Sequence, residues 1–203
     1  MHLLKTGFKN EPEEETLENI DRIYQSSQKL NELVENLLSW ARVQTNRLTV
    51  RKENIPVQDV IRQILSYYEE TLENKSLDID ISLSADTMVS ADPNMMKIVF
   101  QNLLSNAIKF SYHNSTISIG CKKRKRTARV IFIKDQGMGI PEETLDKVLD
   151  DTAFISTKGT NNEEGTGLGL KISKEFVEKN DGELWLESIP GDGTTAHVMI
   201  PNS

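Results

Sequence analysis

Four short phrases stand in a fixed order in the C-terminal half of this chain of 203 residues. They are NLLSNAIKF at residues 102–110, DQGMGI at 135–140, GTGLGL at 165–170 and GDGT at 191–194. One glycine pair would be weak evidence, because glycines also mark ordinary turns. Four unlike phrases are more specific, since together they supply amides, a carboxylate and flexible backbone. Their order predicts one domain built around a phosphate-binding site.

The hydrophobic pattern around these phrases is typical of a chain in which strands and helices are interspersed. Strands are expected at residues 77–83, 88–91, 116–121, 128–134, 183–187 and 194–200, with 88–91 pairing beside 77–83. Helices are expected from Pro56 to about Asn74, after the cap Asp92, from Pro141, and at 168–180. The fold class is therefore α/β, a two-layer sandwich in which helices cover a mixed sheet.

The N-terminal part has a different pattern. Residues 16–47 carry apolar side chains every three or four positions, which predicts a long amphipathic helix. Residues 2–8 are expected to end another helix, so residues 1–47 would be a partial dimerisation hairpin whose first helix is truncated. Residues 48–203 would be the second domain. The uncovered apolar stripe favours a homodimer, and the alternative is a helix that folds back on its own domain.

Composition limits the partners and the cellular setting. A net charge of -7 and a pI near 5.1 argue against a nucleic-acid binder. The basic cluster at residues 122–126 is expected to be a solvated hairpin turn. Cys121 is the single cysteine, which favours a reducing, cytoplasmic setting. No apolar run approaches the roughly 20 residues that cross a bilayer, although a longer parent protein could be membrane-anchored.

The first phrase offers polar groups on one helix face. Asn102 and Asn106 are one turn apart, and Lys109 is close to them. Mg²⁺ prefers oxygen ligands and usually keeps waters and substrate phosphates, so the amide oxygen of Asn106 suffices when a nucleotide brings the negative charge. Lys109 can meet a phosphate as a point charge. Taken alone, these asparagines could equally bond to neighbouring backbone.

The second and third phrases suit the two ends of a nucleotide. Asp135 follows a strand, and its carboxylate can accept from an exocyclic amine that adenine has and guanine lacks at that edge. The phrase at 165–170 places glycines at a helix N-terminus, where free N–H groups meet phosphate oxygens. For either phrase alone, a glycine turn is the alternative. The chain contains no G-x-x-x-x-G-K-[ST] phrase, and the 165–170 glycines lack the context of a dinucleotide fold.

Together these phrases closely resemble the ATP-binding domain of sensor histidine kinases, within the wider ATPase group that includes gyrase, the Hsp90 chaperones and MutL. The resemblance extends from about Leu17 to Pro201 and implies a Bergerat-type ATP-binding sandwich that uses ATP and Mg²⁺. It implies that Asn106 carries the Mg²⁺ and that Asp135 recognises adenine. The implied ATP-binding set is completed by Asn102, Lys109, Phe110, Gly137, Gly139, Ile140, Lys158, Gly165, Thr166, Gly167, Leu168, Gly169 and Thr194.

Residues 150–165 are rich in small polar side chains, which is typical of a mobile flap. The resemblance implies that this flap is a lid over the phosphates, hinged and anchored by the glycines of the third phrase. Lys158 would contact a phosphate, and Phe154 would be the aromatic side chain that packs the lid. Thr194 would back the adenine pocket.

The residue at position 102 separates branches of this group. Gyrase-like and chaperone members carry Glu one turn before the metal asparagine, where it activates water as a general base. This chain has Asn102, whose amide cannot accept that proton. The resemblance therefore implies a phosphoryl donor, a protein histidine kinase, rather than a hydrolase.

The acceptor would be a histidine followed by Glu or Asp and then, a few residues later, by Pro. None of the chain's three histidines, His2, His113 and His197, stands in such a phrase. We therefore expect a fragment that binds Mg-ATP without phosphorylating itself, with a response-regulator receiver domain as partner of the full-length protein. The alternatives are a non-catalytic ATP-sensing module and an anti-sigma-type serine kinase of the same fold, and the long helix at 16–47 argues against the latter.

Overall fold

The computed structural model describes residues 19–20, 23, 49–124, 128–150, 157–163 and 165–202. The chain divides into two compact units, Met1–Thr45 and Asn46–Ser203. In the first unit, residues 19, 20 and 23 are helical, and Ile20 and Ile23 are exposed. The rest of the expected hairpin lies outside the described residues, so the domain division at 47 and 48 and the homodimer stay predictions.

The second unit is built from helices and strands that follow one another along the chain. The described helices are α1 Val57–Ser66, α2 Glu69–Lys75, α3 Pro93–Phe110, α4 Glu142–Val148 and α5 Gly169–Lys179. The described strands are β1 Glu53–Pro56, β2 Asp78–Ser82, β3 Met88–Ala91, β4 Thr116–Arg124, β5 Ala128–Lys134, β6 Glu183–Ile189 and β7 Gly193–Pro201. Among the described ranges, no helix has the length and apolar character that a bilayer span requires.

Five strands form a mixed sheet in the order β2-β4-β5-β7-β6. Strands β2 and β4 are parallel, and the other neighbours are antiparallel. Alternate residues of the three central strands are buried on one face of this sheet, and these are Ile117, Ile119, Ile131, Ile133, Val198 and Ile200. Helices α3 and α5 pack against each other and against the sheet. The predicted α/β class, with a mixed sheet covered by helices, is confirmed.

Two details of the predicted elements were wrong. The expected helix at residues 56–74 is broken at Tyr67 and Tyr68, whose N–H groups bond to carbonyls three residues back, at 3.1 and 2.9 Å. Such tighter bonds are typical of the last turn of a helix. Strand β3 does not pair beside β2 but forms a separate antiparallel pair with β1. That register places Ile55 opposite Val89, and both side chains are buried, so the pairing covers an apolar pair.

The start of α3 is held from two sides. Asp92 caps the helix as predicted, since its Oδ1 accepts the N–H groups of Asn94 and Met95 at 3.0 and 3.2 Å. The N–H of Asp92 donates at 2.7 Å to Oδ1 of Asn180, a fully buried residue that follows α5. This contact ties the two helices that carry the first and third phrases.

Candidate nucleotide-binding site

Asp135 stands directly after β5 and is only 6% exposed. Its N–H donates to the carbonyl of Thr194 at 2.9 Å, and its Oδ1 accepts the N–H of Thr194 at 3.1 Å. These two bonds fix the carboxylate beside the start of β7. A carboxylate has about four acceptor sites, so backbone donors leave capacity for an additional donor such as an amine.

Burial raises the pKa of Asp135 to about 6, although backbone hydrogen bonds from Thr194 and Gly137 and the charge of Lys134 act to lower it. The carboxyl group is therefore largely ionised above this pH and can then accept a hydrogen bond. The same ionisation has the opposite effect on folding in the absence of a ligand, because it lowers the stability of the folded state. Because the folded-state pKa is raised, Asp135 favours the folded state below about pH 4, and this contribution is lost as the pH rises through about 6.

If Asp135 recognises adenine as predicted, its raised pKa makes that recognition dependent on pH. We expect the affinity for adenosine to fall as the pH is lowered from about 7.5 to about 5, with the change centred near 6, because protonation removes the negative charge that strengthens the hydrogen bond from the amine. Adenosine is the appropriate probe, since the phosphates of ATP themselves titrate near pH 6. Displacement titrations across this range measure the effect. A constant affinity for adenosine would contradict the assignment of Asp135 to the adenine edge.

The loop after Asp135 is joined to the end of α3. The N–H of Met138 donates to the carbonyl of Phe110 at 3.2 Å, and Ser111 and Gly137 form an isolated antiparallel bridge. A Cβ atom on Gly137 would lie 2.6 Å from the carbonyl carbon of Phe110 and 2.9 Å from Oδ1 of Asp135. Only glycine permits this approach, which brings the second phrase beside the first.

Asn102 joins the first phrase to the third. Its Nδ2 donates to the carbonyl of Gly169 at 3.1 Å and to Oγ of Ser173 at 3.2 Å. The Ser173 hydroxyl donates in turn to Gly169 at 2.8 Å. Asn102 therefore holds the first turn of α5. Ser173 was not predicted, and its signal in the sequence is weak, since it is a serine one helical turn after a glycine.

Asn106 is half-buried one turn further along α3, and its side-chain amide makes no hydrogen bond to any described residue. Its oxygen is therefore open to a ligand from outside the described structure. Within the described ranges, no group of three or more His, Cys, Asp or Glu side chains could hold a metal ion. The predicted binding of Mg²⁺ by Asn106 stays a prediction.

Lys109 lies at the end of α3 and reaches toward the segment that precedes the third phrase. Its Nζ donates to the carbonyl of Thr157 at 3.0 Å and lies 4.6 Å from the centre of the Phe110 ring. Lys158, the expected phosphate contact, is exposed next to Thr157. Phe154 lies outside the described residues, so its packing role stays a prediction.

The third phrase is exposed where it begins and becomes helical at Gly169. Gly165 and Thr166 are exposed, and Oγ1 of Thr166 accepts the N–H of Leu168 at 3.2 Å. Gly167 has a φ of 70°, in the region that favours glycine. The phrase therefore turns sharply before α5, and its contact with phosphates stays a prediction.

Ser188 joins the second phrase to the fourth and was not predicted. Its hydroxyl donates to the carbonyl of Gly193 at 2.9 Å, accepts the N–H of Ile140 at 2.8 Å, and lies 2.9 Å from Oγ1 of Thr194. Gly139 belongs to the same contact, because a Cβ atom there would lie 2.7 Å from the carbonyl carbon of Ile189. No sequence pattern indicates Ser188, since its partner Ile140 is 48 residues away.

The first phrase lies on α3, and the second and third phrases both contact that helix. The fourth phrase is attached to the second. The chemistry available is an ionisable carboxyl group, an open amide and a lysine. Such an arrangement can accept from an amine and stabilise negative charge. The individual ATP-binding roles of the predicted residues stay predictions.

Residues 91–203 match the family model described as "Histidine kinase-, DNA gyrase B-, and HSP90-like ATPase". The sensor protein kinase WalK of Staphylococcus aureus is 31% identical over 178 residues, which cover 87% of this chain and 43% of that sequence. A further WalK sequence, from strain Newman, is matched at the same identity over 29% of its length. The chain therefore spans less than half the length of these curated relatives.

Solved structures show the same fold. The Acinetobacter baumannii histidine kinase AdeS is similar with a TM-score of 0.75 at 20% identity, covering 98% of this chain and 90% of that one. The catalytic domain of histidine kinase ThkA gives a TM-score of 0.65 at 27% identity, covering 75% of this chain and 98% of that domain. ThkA in complex with response regulator protein TrrA gives 0.72 at 21% identity, covering 100% of this chain and 56% of that one.

Proposed function

Because this chain belongs to the family of histidine kinase-, DNA gyrase B- and HSP90-like ATPases, we propose that it is the ATP-binding catalytic region of a two-component sensor histidine kinase. It would donate the γ-phosphoryl group of ATP to a histidine other than the three in this chain. The resemblance inferred from the four phrases is confirmed by the family match. We further propose the transfer of the phosphoryl group, its acceptor and the protein partners described below.

One observation carries the proposal most directly. The buried carboxyl group of Asp135 and the open amide of Asn106 are connected through Phe110, which ends α3 and accepts the N–H of Met138 at 3.2 Å. Asp135 would accept the amine of adenine, and Asn106 would face the phosphates. The two residues would then bind the two ends of one ATP molecule.

The helix that carries Asn106 supports a phosphoryl donor rather than a hydrolase. Helix α3 contains no Asp or Glu. At the position one turn before Asn106, the amide of Asn102 donates to Gly169 and Ser173. A water molecule therefore finds no general base on α3. Phosphoryl transfer depends mainly on positioning and on charge stabilisation, which this helix can provide.

The residues present fit a magnesium-bound nucleotide. Asn106 would hold Mg²⁺ through its amide oxygen, and the ion would neutralise charge on the phosphates when bound. Lys109 would place its ammonium group near the same phosphates. The backbone of residues 165–169 would donate N–H groups where α5 begins, and the lid at 150–165 would exclude water.

The proposal extends to partners. The solved ThkA complex contains a response regulator, and we infer that a receiver domain likewise takes the phosphoryl group from the full-length parent of this chain. Residues 1–47 would form the homodimer through the helical hairpin. This catalytic part would act in the cytoplasm, where ATP and receiver domains are present.

The test of the proposal is phosphoryl transfer in trans. The chain is mixed with Mg-ATP and the dimerisation hairpin of its own parent protein, and acid-labile phosphohistidine is measured on the hairpin. We expect labelling that requires Mg²⁺. In the Asn106→Ala variant, labelling should fall by about 100-fold, the size of one lost transition-state contact.

The matched control is Asn94→Ala, because Asn94 is an exposed asparagine in the first turn of the same helix. This variant should retain labelling. Saturable binding of ATP without any labelling would instead favour a nucleotide-sensing module. Equal losses in the two variants would show that Asn106 is not a special ligand.

A further inference from the structure

Lys75, the last residue of α2, is a buried lysine outside the predicted site. Its side chain is only 1% exposed. Removing an ammonium group from water is costly unless hydrogen bonds and an opposite charge replace the lost hydration. A lysine buried to this degree is therefore held by specific partners, and those partners indicate what it does.

Two partners of Lys75 belong to α3. Its Nζ donates to the carbonyls of Ile108 and Lys109 at 3.0 and 2.9 Å. The last carbonyls of a helix have no partners within the helix and carry the negative end of its dipole. The ammonium group therefore neutralises the end of α3 within one turn of Asn106.

The other two partners belong to residues 157–163, the described segment before the third phrase. Nζ of Lys75 donates to Oγ1 of Thr160 at 2.8 Å and forms an ion pair with Oε1 of Glu163 at 2.8 Å. Burial acts to raise the pKa of Glu163, but hydrogen bonds from Lys75 and from backbone outweigh it and hold this pKa below its usual value. One ammonium group thus connects two separate parts of the chain.

Further bonds support the same junction. The N–H and Oγ1 of Thr160 both bond to the carbonyl of Lys109, at 3.2 and 3.1 Å. Oγ1 of Thr160 also lies 2.9 Å from the carbonyl of Ser111. Gly159 is buried against Lys109, and a Cβ atom added to Gly159 would lie 2.6 Å from Cγ of Lys109. The segment is therefore fitted closely to the end of α3.

We propose that Lys75 is a positioning residue of the nucleotide site, whose buried ammonium group fastens residues 157–163 to the last turn of α3. It sets where Asn106 and Lys109 stand relative to residues 157–163, so this part of the expected mobile flap is fastened to α3. The inference rests on the proposed function. It assigns Lys75 to the phosphate end of the site, because its partners are the carbonyls of Ile108 and Lys109, within one turn of Asn106, and residues of the segment before the third phrase.

The test compares Mg-ATP with adenosine, which lacks phosphates. Lys75→Met keeps most of the length of the side chain and removes its charge. We expect it to weaken Mg-ATP binding by about tenfold, the size of one charge-assisted hydrogen bond. Adenosine affinity should stay unchanged within about twofold, since loss of an interaction at the phosphate end does not reach the adenine edge. Lys52→Met is the matched control, because Lys52 is ion-paired with Asp181 at 2.5 Å in a solvent-accessible position.

A second pair of variants leaves both charges in place. Thr160→Val removes the hydroxyl that Lys75 bonds, and Thr160→Ser keeps it. The valine variant should lose Mg-ATP affinity and the serine variant should regain it, again without change for adenosine. If Lys75→Met does not fold, this pair of variants still tests whether the bonds of Lys75 support Mg-ATP binding.

A merely structural role would lower the melting temperature and leave the ratio of the two affinities unchanged. An unchanged ratio in both Lys75→Met and Thr160→Val would overturn the inference and leave the proposed function standing. If the unaltered chain binds neither Mg-ATP nor adenosine, the proposed function fails and the inference fails with it.

Discussion

Replacing Asp135 by Asn is expected to remove most of the affinity for ATP and to leave the fold intact. The amide of Asn has the same shape, and its oxygen can still accept the N–H of Thr194. Its NH₂ group would then point toward the amine of adenine, so two donors would face each other. Losing a buried hydrogen bond to a charged acceptor costs about 1.5–3 kcal/mol, which corresponds to a loss of roughly 10- to 150-fold in affinity.

Stability should respond differently from affinity. Burial raises the pKa of Asp135 to about 6, so near neutral pH the folded protein holds an ionised group that its surroundings disfavour. A neutral Asn removes this cost. We therefore expect a melting temperature that is equal or higher, measured beside calorimetric titration with Mg-ATP.

The matched control for this change is Asp192→Asn, which removes the same charge from an exposed position in the fourth phrase. This variant should bind ATP normally. Full affinity in folded Asp135→Asn protein would place adenine elsewhere. A melting temperature that falls in proportion to affinity would mean that Asp135 acts on the fold and not on the ligand.

Replacing Gly137 by Ala is expected to destabilise the domain strongly. The new Cβ atom would overlap the carbonyl oxygen of Phe110 and lie 2.6 Å from its carbonyl carbon, so backbone would have to move. Separating these segments would also break the bond from Met138 to Phe110. Forcing an extra carbon into a packed site costs about 1–3 kcal/mol, and the broken backbone bond adds about 1 kcal/mol.

The comparison variant is Gly191→Ala. Gly191 has a φ of 81°, but a Cβ atom there would meet nothing within 4 Å. Alanine at Gly191 should therefore cost only the conformational term of about 1–2 kcal/mol. Denaturant unfolding measures the loss in free energy of unfolding for both variants. ATP titration of the folded variants shows whether Gly137→Ala also separates the first phrase from the second. Equal free-energy losses at the two positions would mean that the contact with Phe110 is not tight.

Much of this architecture was predictable because its signals are local. Asp92 and Pro93 mark the start of α3 within a few residues, and the structure shows the predicted cap. The glycines at 165–169 similarly precede a helix, and the alternation at 194–200 corresponds to β7. The order of the four phrases identified the family. Local rules of capping, periodicity and turn formation are sufficient for such features.

The arrangement of partners that are distant in sequence was not predictable. Strand β3 pairs with β1 because Ile55 and Val89 are buried together, whereas alternation alone also allowed it beside β2. Ser188 reaches Ile140, 48 residues away, only because β6 and β7 place it there. No spacing rule connects such positions.

The sequence by itself determined the chemical groups of the site and their order: an amide pair, a carboxylate, and glycines before a helix. Only the tertiary structure decided which group each one contacts. Asn102 is directed to the start of α5, and Lys75 to the end of α3 with Thr160. The physical reason is that capping and periodicity act over one or two turns, whereas a buried polar group must find partners wherever packing brings them.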